Sequence, residues 1–149
     1  MTTREYEQKG RLKLKADFDN AECEMIYEFT NDRFNHIDCY ATACTGIRYA
    51  IEIKNRNIPI DKYDTILLEG IKYKALMTAY EEGYKPLYRC YFKDGVLTWD
   101  LSQIDIDNRI EQMPCASSTQ NYDRKVEKEI IMLEKKEPID KKRGNRHNC

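Results

Sequence analysis

The sequence predicts an α/β fold, and three patterns carry that expectation. Tyr49, Ile51 and Ile53 alternate with Ala50, Glu52 and Lys54, the two-residue period of a strand. Phe18, Ala21, Met25, Ile26 and Phe29 recur at three and four residues, as on the buried face of a helix. Leu87–Phe92 and Val96–Leu101 are strand-like runs on either side of Lys93-Asp94-Gly95, a hairpin signal. The expected architecture is a central mixed sheet of about four or five strands flanked by helices, in the order helix, hairpin strands, helix, hairpin strands.

A chain of 149 residues fits one domain, with 34% charged and 41% hydrophobic residues. The domain is expected over residues 1–134. Residues 135–149 carry Lys135, Lys136, Lys141, Lys142, Arg143 and Arg146 against Glu137 and Asp140, and read as a basic, flexible tail. No run approaches a membrane span and the N-terminal residues lack the apolar core of a signal peptide, so a cytoplasmic chain without a membrane partner is expected. The six cysteines form no CxxC pair and only two histidines accompany them. Reduced thiols and no structural zinc are the expectation.

Residues 1–15 are polar, with Leu12-x-Leu14 suggesting a brief extended arm. A helix is expected from Asp17, as N-cap, to Phe29. On its wheel Glu22 falls inside the apolar stripe, where a carboxylate demands a partner. After a turn at Thr30–Asn35, the run His36–Ala43 reads as a strand joined through Cys44-Thr45-Gly46 to the Tyr49 strand. Asp38 stands out in it, because Asp is poorly suited to an apolar and aromatic strand. A loop punctuated by Pro59 follows, then a helix over Thr65–Glu82 with Leu67, Leu68, Ile71, Ala75 and Ala79 on its apolar face and Lys72 at the margin. Ser102–Asp123 reads as a long connection, and Lys125–Leu133 as a terminal strand or a short helix, with strand preferred.

Asp38, followed fourteen residues later by Glu52-x-Lys54 and then a helical segment, resembles the PD-(D/E)xK nuclease superfamily over roughly the first two-thirds of the chain. Ile37 stands where the family name has Pro. Glu7-x-Lys9, Asp123-x-Lys125, Glu134-x-Lys136 and Asp140-x-Lys142 also satisfy the acid-x-Lys triplet, but only Glu52-x-Lys54 lies in an apolar strand. The resemblance implies a restriction-endonuclease-like fold and a metal-dependent DNA endonuclease. Its superfamily is largely made of DNA enzymes of restriction, repair, recombination and phage replication.

In that reading Asp38 and Glu52, with the backbone carbonyl of Ile53, hold Mg²⁺ or Mn²⁺, and Lys54 orients or deprotonates the attacking water. Glu22 would add an acid from the first helix, while Lys72 and Arg56 would meet phosphate. The implied partner is double-stranded or branched DNA, and a homodimer would cut two strands with two copies of one site. Two other readings stay open: a nuclease-like fold serving as a nucleic-acid or protein-binding module, and a small interaction protein whose Glu52 and Lys54 form an exposed ion pair.

Overall fold

The computed structural model describes residues 2–31, 35–106, 110–116, 125–135, 138 and 140–143. Helix α1 spans Thr3–Asp19 and is followed by three antiparallel strands, β1 (Met25–Phe29), β2 (Cys39–Ala43) and β3 (Arg48–Asn55). A short strand β4 (Thr65–Glu69) and helix α2 (Gly70–Glu81) cross over to β5 (Lys85–Phe92), which lies parallel to β3. Strand β6 (Gly95–Asp100) returns antiparallel to β5, and β7 (Ile110–Ala116), β8 (Lys125–Glu134) and β9 (Asp140–Arg143) complete the chain. The main sheet is six-stranded in the order β1-β2-β3-β5-β6-β9, and β4-β8-β7 form a second sheet of three. The α/β class and the mixed central sheet are therefore as expected, with the small second sheet an addition. Among the described residues no helix is long and apolar enough to cross a membrane.

Both faces of the main sheet are covered. On one, α1 brings Leu14 against Cys39, Ala41, Ile51, Ile53 and Tyr91. On the other, Ala50, Tyr88, Cys90 and Trp99 pack with Leu76 and Ala79 of α2, Ile66 and Leu68 of β4, and Ile131 and Leu133 of β8. Trp99 also donates its indole N–H to the Glu134 carbonyl at 3.0 Å, tying the two sheets together. Alternation along β3 therefore sends Ala50 and Glu52 into a covered layer rather than into water.

The first helix lies earlier than the apolar spacing predicts. Thr2 and Glu5 form a capping box that starts α1 at Thr3, and Gly10 lets it approach β3: a Cβ there would sit 3.0 Å from Ile53 Cγ2. Asp17 is no N-cap but sits in the last turns of α1, where it accepts from Arg89 Nη2 and Tyr91 OH, each at 2.7 Å. Met25, Tyr27 and Phe29 use a two-residue period instead, half-buried in the α1 layer of strand β1 while Ile26 and Glu28 are exposed. Glu22 accordingly leaves its expected helix face and stands exposed in the connection between α1 and β1.

Three further boundaries differ. Residues 65–69 are strand β4, with Ile66 and Leu68 buried, and α2 begins only at Gly70, where Glu129 leaves no room for a side chain: an added Cβ would lie 2.8 Å from Glu129 Cβ. Within the expected 102–123 connection, residues 110–116 pair with β8 as an edge strand, a place where Pro114 can be tolerated. Residues 140–143 of the expected flexible tail pair with β6 as the charged outer strand of the main sheet. The part of that tail over 144–149 lies outside the described residues.

Reduced thiols throughout were expected, yet Cys23 and Cys44 form a disulfide with Cα atoms 5.8 Å apart, while Cys39 and Cys90 are free and buried. The pairing follows from register. Met25 faces Ala43, so the chain just before β1 runs beside the turn after β2. Closing a loop of sequence separation 21, the bridge is expected to contribute about 3 kcal/mol of unfolding free energy. Urea unfolding of the Cys23→Ser, Cys44→Ser double variant measures this, and equal midpoints for both proteins would refute it.

Candidate functional site

Four segments converge at the C-terminal end of β3. Glu52 and Lys54 share one face of that strand, Arg56 follows just beyond it, and Tyr88 stands beside Glu52 on the parallel strand β5. Leu67, Leu68 and Glu69 of β4 and Lys72 in the first turn of α2 close the other side of a pocket of about 160 Å³. Such a crevice beyond the carboxyl ends of parallel strands is a common place for ligands in α/β sheets.

Asp38 joins the site from β2. Since Cys39 pairs with Ile51, Asp38 at the head of the strand falls beside Glu52 on the same sheet face. Its Oδ2 accepts the Ile53 backbone N–H at 2.9 Å, and its Oδ1 meets Arg11 Nη2 of α1 at 3.0 Å. Two acids and a lysine expected to act together are thus brought together by backbone register alone.

Glu52 is 6% exposed. Its Oε1 lies 3.3 Å from Lys72 Nζ, whereas Oε2 is buried without a hydrogen-bond partner. Burial pushes the Glu52 carboxyl well above the ordinary glutamate value, and the neighbouring Asp38 charge pushes in the same direction. The Lys72 ammonium opposes both. Lys54 is exposed at the pocket, and its ammonium makes no ion pair among the described residues. Arg56 is more committed, with Nη2 donating to the Leu67 carbonyl at 2.9 Å and to Tyr88 OH at 3.2 Å, and Nε buried without a partner.

The expected residues therefore divide. Asp38, Glu52, Lys54, Arg56, Lys72 and the Ile53 backbone meet at one place, with the Ile53 N–H donating to Asp38 Oδ2. Glu22 does not join them. Cys23, next to it, is bridged to Cys44 beyond the far end of β2, six residues from Asp38, which is about 20 Å of extended strand. Arg11, like Glu69 and Tyr88 of the pocket lining, is a site residue that the sequence pattern does not mark. Its signal was the Thr2/Glu5 capping box, which would have made residues 3–19 a helix and put Arg11 on it.

Among the described residues no group of three His, Cys, Asp or Glu side chains could hold a metal ion. Two adjoining carboxylates remain a donor set suited to Mg²⁺, which completes its shell with water and substrate phosphate. The orphaned Glu52 Oε2 is an acceptor available for that use.

The raised pKa of Glu52 has a measurable consequence. The folded protein holds this proton more tightly than the unfolded chain, so stability declines as pH rises from the ordinary value of 4.5 toward the raised folded one, and is level beyond it. The limiting slope for one group is about 1.4 kcal/mol per pH unit. Glu52→Gln cannot titrate and is expected to lack the decline, so its melting temperature gains on wild type across that window. Thermal scans from about pH 4 to 9 that show a constant difference would reject the assignment.

No protein-family model, no curated protein and no solved structure matches the chain, so its functional reading rests on this geometry.

Proposed function

We propose that the protein is a Mg²⁺- or Mn²⁺-dependent DNA endonuclease of the restriction-endonuclease-like kind. The observation that carries the reading is the placing of Asp38 beside Glu52, with Lys54 two residues along the same strand face and open to the pocket. The order helix, three strands, crossover helix, parallel strand around a mixed sheet is in keeping with the fold expected for such an enzyme.

Hydrolysis of a phosphodiester needs an activated water and compensation for the charge that builds on the phosphate. A divalent ion held by Asp38 and Glu52, with the Ile53 carbonyl as a further donor, would supply Lewis acidity and a more acidic water. Lys54, whose ammonium makes no ion pair among the described residues, would orient that water and balance developing negative charge. Lys72 and Arg56 line the opposite walls as phosphate contacts. Double-stranded or branched DNA is the proposed substrate and a homodimer the proposed working form.

A second reading has an observation of its own. Arg11 and Lys72 already sit on the two carboxylates, as they would in a nuclease-like module that binds nucleic acid or protein without cutting.

Supercoiled, linear and branched DNA incubated with Mg²⁺, Mn²⁺ or chelator separate the two. Wild type is expected to cleave with either metal and not with chelator, and Asp38→Ala and Glu52→Gln to lose cleavage while retaining the fold. Lys54→Ala is expected to keep metal binding and lose about 10²-fold or more in rate. Equal activity of wild type and Glu52→Gln would place the chemistry elsewhere. Salt-sensitive DNA binding without cleavage would favour the binding module.

A further inference from the structure

Asp38 is held by a cation that comes from outside the pocket. Arg11 lies in the middle of α1, on the opposite side of the sheet from α2, and reaches the Asp38 Oδ1 with Nη2 at 3.0 Å. The pair is partly buried, with side chains 24% and 21% exposed, so water screens it less than a surface pair. Each Asp38 oxygen already has one partner, since Oδ2 takes the Ile53 N–H, so a further ligand would share an oxygen with Arg11 or with that N–H.

Arg11 also has anchors that do not involve Asp38. Its Nη1 donates to the Thr30 carbonyl at 2.7 Å, Nη2 lies 3.4 Å from Thr30 Oγ1, and the guanidinium carbon stands 5.4 Å from the centroid of the Phe29 ring. Thr30 is itself fixed, donating its hydroxyl to the Ile37 carbonyl at 2.8 Å and its N–H to the Asp38 carbonyl at 2.9 Å. The guanidinium can therefore release the carboxylate and stay on Thr30 and Phe29.

Resting on the nuclease reading, we propose that Arg11 is a positioning residue that acts as the resident counter-cation of Asp38 and sets the affinity of the site for a divalent ion. A divalent ion bound to Oδ1 would sit about 2.1 Å from it, on an oxygen that Arg11 already occupies. A guanidinium and a dication compete for one carboxylate oxygen, because at such separations their mutual repulsion is large in a partly desolvated site. Arg11 thus holds the Asp38 carboxylate in place before metal arrives and weakens metal binding by the strength of its own pairing. Lys72 stands in a similar relation to Glu52, but among the described residues nothing beyond the carboxylate tethers its ammonium.

The test measures metal binding alone, without DNA. Free Mn²⁺ is followed by its paramagnetic resonance signal during titration of wild type, Arg11→Gln and Arg11→Lys. Arg11→Gln is expected to bind Mn²⁺ tighter by about tenfold or more, and Arg11→Lys to stay nearer wild type, because only the first removes the competing charge. In the wild-type protein, saturating Mg²⁺ is expected to shift the side-chain nitrogen resonances of Arg11, a readout that remains if Arg11→Gln fails to fold. Equal or weaker Mn²⁺ binding by a folded Arg11→Gln, or Arg11 resonances unmoved at saturation, would overturn this inference and leave the nuclease reading standing. Absence of Mn²⁺ binding by both wild type and Arg11→Gln would overturn the two together.

Discussion

A carboxylate without water needs a counter-charge, and Glu52 sets that demand at the centre of the molecule. Strand β3 carries it into the layer between the main sheet, α2 and the small sheet, beside a second acid, Asp38. Two ionised acids side by side in such a place are costly unless cations reach them. The cations come from both helices: Lys72 from the first turn of α2 and Arg11 from the middle of α1. The two helices, packed on opposite faces of the sheet, are thus coupled through one pair of acids.

The rest of the scaffold keeps that pair in register. The crossover through β4 and α2 makes β3 and β5 parallel, opening a crevice at their C-terminal ends and bringing Tyr88 beside Glu52. Gly10 and Gly70 bring the helices near enough: the first lets α1 settle on Ile53, the second lets α2 start against Glu129. At the opposite end of the hairpin, the Cys23–Cys44 bridge anchors the entry to β1 on the turn after β2. The end of the sheet that carries the acids is held by charge, and the other by a covalent link.

The charge balance of the site also bears on its chemistry. Asp38 and Glu52 face Arg11, Lys72 and the unpaired Lys54, so the cluster carries more cationic than anionic side chains as it stands. That surplus suits the approach of a phosphate. On the proposed reading it would disfavour a divalent ion until one of the resident cations yields, and Arg11 has anchors of its own on Thr30 and Phe29 that would let it do so.

The sequence by itself determined the local elements whose period is short and unbroken. Alternation marked β3, Asp-Gly marked the β5–β6 hairpin, and the spacing from Asp38 to Glu52 and Lys54 marked the residues that meet. It did not determine the type of the short apolar runs at 25–29 and 65–69, because five residues fit a strand as well as a turn of helix, and long-range pairing with β2 and β8 decided for strand. Charge misled in the same way at 140–143, where a basic run pairs with β6 because a sheet edge accepts charged side chains. Only tertiary structure could bring Cys23 to Cys44 or Arg11 to Asp38, 27 residues apart, since both contacts depend on how packed elements align. Local sequence carries the period of an element, whereas the partner of a side chain is fixed by register and by the burial that makes pairing necessary.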